Sequence, residues 1–200
     1  MDSTASAVSV GAANLKLNFD YDSQGRRIRK QVAHWSASQW QTTNDLRFVY
    51  DGWNLTAEYD GTNVVRSYTW GTDLSGSMQG AGGVGGLLAM RVHSGATAGE
   101  YVFAYDGNGN VIALVNTATG VEAARYEYSP FGQLLRATGP LALENKFRFS
   151  TKYCDDETGY YYYGFRYYNA DLGRWLNHDP TAERFSIQLY IAVNNDVIKH

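Results

Sequence analysis

The feature that most constrains this chain is a short unit that recurs along it. Each unit has an aromatic strand, a turn rich in Asp, Asn and Gly, and an apolar return strand. In the first unit, residues 15–21 place Leu, Leu, Phe and Tyr at every second position, which is typical of a half-buried β-strand. Asp22-Ser23-Gln24-Gly25 then predicts a tight turn. Because one hairpin alone is marginally stable, tandem units predict hairpins stacked side by side in a sheet.

The same order of parts recurs at Asp51-Gly52, Asp60-Gly61, Asp106 to Asn110 and Ser129 to Gly132. The predicted strands around these turns are 26–32, 48–50, 53–59, 64–70, 101–105, 111–115, 121–128 and 133–137. The composition agrees, since 16 Tyr and 21 Gly favour pleated strands and tight turns. Helical patterns are limited to one turn at Leu141 to Lys146 and a weakly amphipathic stretch from Ala182 to Val193. The sequence therefore predicts an all-β fold of tandem antiparallel hairpins in a curved sheet, with a minor helix near the C-terminus.

Charge and composition exclude several classes of function. The net charge of -3 and the pI of about 5.8 disfavour nucleic acid and anionic membranes as main partners. No apolar run reaches the roughly 18 residues of a membrane span, and Met1 to Leu17 lacks the pattern of a signal peptide. The single cysteine, Cys154, excludes an intrachain disulfide and predicts a small packing residue.

The turns resemble a known repeat. Tyr21-Asp22-x-x-Gly25-Arg26, Tyr50-Asp51-Gly52 and Tyr105-Asp106-x-x-Gly109-Asn110-Val111 look like YD repeats, and residues 126–132 resemble the last repeats of RHS proteins. Residues 147–180 are similar to the RHS repeat-associated core. The resemblance covers roughly residues 15 to 195. It implies YD/RHS repeats at 15–139, the RHS repeat-associated core at 140–195 and a tail at 196–200, while the small and polar residues 1–14 predict a disordered N-terminal segment.

The resemblance implies a non-catalytic, encapsulating segment of an RHS-type polymorphic toxin or cell-surface protein. In that family, hairpins spiral into a hollow shell that encloses a variable C-terminal toxin or effector. The expected partners are an enclosed polypeptide or a neighbouring RHS chain, and the expected location is extracellular or at the cell surface. Strand edges left open in so short a chain also predict self-association.

Many members of this family cut the chain behind the shell with two aspartates of D-P-x-G motifs. Such a site needs two carboxylates that share a proton. Asp179-Pro180 lies where the first motif falls, but Thr181-Ala182 follows in place of the usual Gly. Near the second position only Asp196 is present. We therefore predict that the chain is not an enzyme, with Asp179 as the single catalytic candidate and self-cleavage as the enzymatic alternative.

Two further motifs suggest ligand sites, but each has a simpler explanation. Gly80 to Gly85 matches G-x-G-x-x-G, yet neither an apolar strand before it nor room for a helix after it is evident, which favours a crossover loop. Asp106, Asn108 and Asn110 alternate like calcium ligands, but Val111 and Thr117 occupy positions that require Gly and Glu. His34, His93, His178 and His200 lack paired spacing for zinc. No cofactor and no metal are predicted.

The most unusual local feature is the aromatic run Tyr160 to Tyr163, followed by Phe165, Tyr167, Tyr168 and Trp175. As a strand it would carry rings on both faces, which indicates dense packing between two layers. The alternative is a stacking surface for carbohydrate, which would make the chain a carbohydrate- or surface-binding module. Nearby arginines are expected to pair with nearby carboxylates; the residues are Arg148, Arg166, Arg174, Asp155, Asp156 and Glu157.

Overall fold

The protein is described here by a computed structural model, which covers residues 14–178. Within them the chain forms strands and one short 3₁₀ turn, Phe149–Thr151. The strands are β1 (Leu15–Tyr21), β2 (Arg27–Ser36), β3 (Gln39–Asp51), β4 (Asn54–Asp60), β5 (Asn63–Trp70), β6 (Leu87–Val92), β7 (Gly99–Tyr105), β8 (Val111–Asn116), β9 (Glu122–Tyr128), β10 (Leu134–Thr138), β11 (Tyr153–Asp155), β12 (Tyr160–Tyr162), β13 (Tyr167–Asn169) and β14 (Arg174–Trp175).

The chain divides into two compact units, and the division falls within β5, between Ser67 and Tyr68. In the first unit, each strand from β1 to β5 pairs antiparallel with the next strand along the chain. The register places Leu17 opposite Val32 and Phe19 opposite Lys30. This arrangement is the predicted meander of hairpins, because consecutive antiparallel strands need only short turns.

Period-two alternation gives the first unit one apolar face and one polar face. Leu17, Phe19 and Val32 form a buried cluster on the apolar face. The guanidinium of Arg27 lies 5.0 Å from the ring centroid of Phe19, so that face also holds a cation against an aromatic ring. On the polar face, Arg29 forms an ion pair with Asp45. The hydrogen bond from Arg29 is the main reason why the pKa of Asp45 is lowered.

In the second unit, β6 to β10 are again paired in chain order, and β11 to β14 form a separate four-stranded antiparallel sheet. The core around the four-stranded sheet is largely aromatic, as the run of tyrosines predicts. Its buried residues are Phe149, Cys154, Tyr161, Tyr168, Ala170 and Trp175.

The all-β prediction is confirmed, and most strands lie within a few residues of their predicted positions. Two strand predictions need correction. Strand β3 begins at Gln39, nine residues before its predicted start, and the stretch from Leu87 to Val92 is a strand where none was predicted. The single helical turn predicted at Leu141 to Lys146 is present: the Asn145 amide donates to the carbonyl of Leu141, four residues earlier, and the Asn145 side chain then bonds the backbone of Phe147 and ends the turn. The predicted helical stretch from Ala182 to Val193 lies outside the described residues, and the predicted family segments stay predictions.

Candidate functional site: repeat turns, cross-repeat tyrosines and the closing segment

Three of the repeat turns have the same hydrogen-bond pattern. In each turn, the first residue donates its amide to the carbonyl four positions later, and the glycine three positions later donates back to the first carbonyl. The first residues are Asp22, Asp106 and Ser129. Each glycine has a positive φ, between 75° and 85°, which L-residues with a side chain rarely adopt. The resemblance between the YD motifs is therefore a shared backbone structure.

The carboxylate of Asp106 is fully used within its own turn. It accepts hydrogen bonds from the amides of Asn108 and Asn110 and from the side-chain amide of Asn110. The carboxylate of Asp22 plays the same part with Gln24 and Arg26. Burial acts to raise the pKa of Asp22, but these hydrogen bonds outweigh it and lower the pKa. Asp106, Asn108 and Asn110, the three residues spaced like early calcium ligands, therefore form a hairpin turn.

A tyrosine at the end of one strand bonds to the beginning of an earlier strand. Tyr50 donates its hydroxyl to the carbonyl of Arg27, the first residue of β2, at 2.9 Å. Tyr128 donates to Val111, the first residue of β8, at 2.8 Å, and Tyr105 donates to Leu87, the first residue of β6. We call Tyr50, Tyr105 and Tyr128 the cross-repeat tyrosines. In the YD pattern, the tyrosine stands just before the turn of its own hairpin. Its bond reaches the strand immediately before that hairpin, and so links the hairpin to the preceding part of the sheet.

The glycine-rich loop is organised by one carboxylate. Asp73 is buried and accepts hydrogen bonds from the amides of Ser75, Ala81 and Gly83, and from the Ser75 hydroxyl. Desolvation acts to raise the pKa of Asp73, but the hydrogen bonds outweigh it and hold the pKa below its usual value. Strand β5 ends ten residues before Gly80, and strand β6 follows the loop in place of a helix, so residues 63–92 do not form the strand–turn–helix of a dinucleotide site. The interpretation as a loop is confirmed, but it joins strands that are neighbours in the sheet and is not a crossover.

Residues 145–152, which we call the closing segment, bind this loop to a repeat turn. The hydroxyl of Thr151 accepts from the Gly85 amide at 2.8 Å and donates to the Gly109 carbonyl at 2.7 Å. Ser150 donates its amide to the side-chain carbonyl of Asn110 at 2.8 Å. Thr151 has φ of 52°, which is a strained conformation for a β-branched residue. The bonds to residues 85 and 109 hold the strained backbone in place.

Lys152 adds a third link to the glycine-rich loop. Its ammonium donates to the carbonyl of Gly82 and lies 5.3 Å from the ring centroid of Tyr163. Burial lowers the pKa of Lys152 to about 8, although the charge of Asp73 opposes this shift.

The rest of the closing segment is held by a buried arginine. Arg148 forms an ion pair with Asp156 at 3.0 Å and donates to the carbonyl of Asn145 at 3.2 Å. The sequence predicts that Arg148 pairs with a nearby carboxylate, and Asp156 is that partner. The guanidinium of Arg166 lies 3.9 Å from the ring centroid of Trp175.

The four-stranded sheet of β11 to β14, which we call the aromatic sheet, packs against the repeat turn at residues 129–132. Tyr161 and Tyr168 donate their hydroxyls to the carbonyls of Gly132 and Phe131, at 3.3 and 2.9 Å. A methyl group on Gly132 would come within 2.4 Å of the ring of Phe149, so this glycine is required by contact as well as by φ. Tyr161 and Tyr162 point to opposite faces of β12 and are both buried. The prediction of dense packing is confirmed.

Chemically, these groups are suited to holding backbone together. Burial raises the pKa of Cys154 to about 11, so its thiol is a packing group, as predicted. Among residues 14–178, no cluster of three or more His, Cys, Asp or Glu side chains could hold a metal ion. The described part also contains no helix that is long and apolar enough to cross a membrane. The catalytic candidate Asp179 and its possible partner Asp196 lie outside the described residues. The sequence gives no sign of the roles of Asp73, Thr151 and Lys152; the last two are part of the stretch that resembles the RHS repeat-associated core, but nothing in it singles them out.

Paired hairpins, cross-repeat bonds and a closing aromatic sheet define a segment of a β-shell. The sequence profile of the Teneurin YD-shell family matches residues 6–196, and the chain belongs to this family. The resemblance to RHS/YD-repeat shell proteins is therefore confirmed.

Two curated relatives are toxins or nucleases by name. The tRNA nuclease WapA of Bacillus subtilis (strain 168) is 28% identical over 166 residues, which are 81% of this chain and 6% of that protein. The double-stranded DNA deaminase toxin A of Burkholderia cenocepacia (strain H111) is 28% identical over 191 residues, 92% of this chain and 13% of that protein. The chain thus spans a small part of these relatives' length.

A solved structure has the same fold. The crystal structure of TcdB2-TccC3-TEV matches 98% of this chain and 9% of that chain, with a TM-score of 0.67 and 22% identity. At this level of identity the likeness concerns the fold alone.

Proposed function

We propose that this chain is a section of a shell wall that surrounds another polypeptide, such as a toxin effector, and that it catalyses no reaction itself. The observation that carries the proposal is the cross-repeat tyrosine bond, which recurs at Tyr50, Tyr105 and Tyr128. Each such bond ties one hairpin to the preceding one, so hairpins can be added without changing the structure. A wall needs this kind of extension, whereas a catalytic site needs one particular set of side chains.

The use of polar groups supports the same role. The carboxylates of Asp22, Asp73 and Asp106 all accept hydrogen bonds from turn and loop amides. Burial raises the pKa of Tyr105 and Tyr128, so both hydroxyls stay protonated and act as donors. Groups occupied in this way hold the backbone and are not available to act as acids, bases or nucleophiles.

The names of the relatives support a toxin context. The WapA proteins are named as tRNA nucleases and the Burkholderia protein as a DNA deaminase toxin. Because this chain matches 6% and 13% of those two proteins, those activities concern whole proteins far longer than the matched region. We infer that the parent of this wall section is a toxin-like protein that acts outside the cell or at its surface.

A chimera tests the containment role. The region of the Burkholderia toxin that matches this chain is replaced by the chain, and trypsin digestion of the rest of the chimera is followed by mass spectrometry. The chimera should resist digestion as well as the natural toxin does. Gly132→Ala should abolish this protection because of the clash with Phe149, whereas Gly120→Ala, with similar φ and open space around it, should retain it. Digestion as fast as that of a toxin without the region would contradict containment.

Carbohydrate binding by the tyrosine run is the alternative. Burial of Tyr161 and Tyr162 leaves little ring surface in that run for a sugar. The alternative stays a prediction, and a titration of tryptophan fluorescence with a panel of polysaccharides tests it.

Self-cleavage at Asp179 is the enzymatic alternative, and it also stays a prediction. The intact mass of the purified chain tests it directly. A product that ends shortly after Asp179, and that disappears in Asp179→Asn, would establish the cleavage.

A further inference from the structure

The β2–β3 hairpin extends beyond the strand that follows it. Strand β3 is 13 residues long, but β4 pairs only with its second part, from Leu46 to Asp51. Over residues 39–45, β3 pairs with β2 alone among the described residues. One row of backbone N–H and C=O groups along this stretch therefore faces outward, with no strand of residues 14–178 beside it. Asp45, the last residue of the stretch, is paired with Arg29, and we call the uncharged residues 39–44 the free edge.

The sequence of the free edge lacks charge and proline, two of the features that keep strand edges from pairing. It reads Gln39-Trp40-Gln41-Thr42-Thr43-Asn44, with no charged residue, no proline and no glycine, and every side chain in it is exposed. Natural proteins protect such edges with lysine, proline or bulges. A bulge is present at Thr43, because Val32 lies opposite Asn44 and Ala33 opposite Thr42. This bulge shortens the regular part of the edge but leaves residues 39–42 regular.

Two tryptophans lie beside the free edge. Trp35 and Trp40 are cross-strand partners on one face of the hairpin, with ring centroids 5.4 Å apart in an edge-to-face arrangement. Each is 44% exposed. The end of the hairpin thus combines open backbone groups with an apolar surface, which is the pair of features that β-strand addition uses.

We propose that the free edge pairs antiparallel with the free edge of a second copy of this chain. A two-fold axis places the same residues on both sides of the contact, so the surface must complement itself. The free edge is self-complementary for two reasons. It has no charged side chain that would be repelled by the same side chain in the second copy, and its amide side chains can both donate and accept hydrogen bonds. A positively or negatively charged partner would find no complementary charge in residues 39–44.

The size of the contact sets its strength. A contact that pairs the four regular residues 39–42 and covers two half-exposed tryptophans per copy buries at most about 1,000 Å² in total, which is near the lower limit for specific interfaces. The dimer should therefore be weak and reversible, with a dissociation constant of about 10 μM to 1 mM.

Sedimentation velocity of the full chain, from about 5 μM to about 500 μM, tests the proposal, because at the upper concentration a dimer with any dissociation constant in that range is substantially populated. The weight-average sedimentation coefficient should rise with concentration. Gln41→Lys should weaken association at least ~10-fold, because two lysines would lie close together across the axis. The matched control is His34→Lys, since His34 is the exposed cross-strand partner of Gln41 but lies on β2, one strand farther from the axis. It should associate like the unmodified chain, and far-UV circular dichroism checks that both variants are folded.

Hydrogen exchange gives a second measurement that does not depend on a variant. Amides that slow as concentration rises should be confined to residues 39–44. A chain that stays monomeric throughout, or association that Gln41→Lys leaves unchanged, would overturn the proposal. A response of Trp35 and Trp40 fluorescence to neutral polysaccharide in a monomeric chain would show a sugar surface instead. Either failure leaves the containment role untouched, since the chimera tests that role separately.

Discussion

Replacing Tyr128 by Phe removes one cross-repeat bond while keeping the ring in place. The hydroxyl of Tyr128 lies 2.8 Å from the carbonyl oxygen of Val111, a fully buried residue. A neutral hydrogen bond contributes about 1 kcal/mol to stability, and an acceptor left buried without a partner adds to the loss. We expect Tyr128→Phe to lower the free energy of unfolding by about 1–2 kcal/mol, which for a chain of this size corresponds to a Tm lower by about 3–6 °C.

Urea unfolding, followed by near-UV circular dichroism, measures this loss. The matched control is Tyr160→Phe in the same compact unit. Tyr160 is also half-buried, but its hydroxyl forms no hydrogen bond with any residue in 14–178. The control should change the free energy of unfolding by less than about 0.5 kcal/mol. Equal losses in the two variants would refute the idea that the hydroxyl links the hairpins, and would assign the role of tyrosine to ring packing alone.

Four other outcomes follow from the described contacts. Asp73→Asn should cost about 3 kcal/mol, since asparagine keeps one acceptor oxygen but places an NH2 group where the other oxygen accepts two hydrogen bonds. Because the folded pKa of Asp73 is lowered, the unmodified chain should also lose stability as pH falls below about 4, measured by urea unfolding at several pH values. Ser38→Gly should raise the free energy of unfolding by about 1 kcal/mol, because Ser38 has φ of 64°, while Ser36→Gly in the strand should not. Between pH 8 and 9.5, Lys152 is protonated in the unfolded state but increasingly neutral in the folded state, so its contribution to the free energy of unfolding should increase with pH. Urea unfolding should show that this increase is lost in Lys152→Met. The thiol of Cys154 should react with a thiol reagent at pH 8 only after unfolding, and rapid reaction of the folded chain would contradict its burial.

The repeat sheet was predictable because its signals are local. Strand β1 has its predicted bounds, since strict alternation ends at an Asp-x-x-Gly turn. By contrast, β2 runs four residues beyond its predicted end at Val32, because the turn at Ala37 and Ser38 adopts positive φ without glycine or asparagine. The sequence does not predict β6, because its six residues follow a glycine-rich loop and lack strict period-two alternation.

The closing segment could not be predicted from one sequence. Thr151 and its partners Gly85 and Gly109 are separated by 66 and 42 residues. Neither alternation nor turn chemistry encodes a bond over such a distance, and threonine at positive φ runs against local preference. The tyrosine run shows the opposite case, since rings at successive positions indicate burial on both faces whatever their partners are.

Pairing in chain order also determines how such a protein can be built. Because every strand from β1 to β4 and from β6 to β9 bonds to its immediate successor, each hairpin can form from residues that have just left the ribosome or a translocation pore. Short loops close quickly, so growth would proceed from the N-terminal end without waiting for distant partners. Thr151 and Lys152 must instead find residues made 42 to 70 positions before them, so their hydrogen bonds would form only once the glycine-rich loop and the turn at Asp106 are already in place.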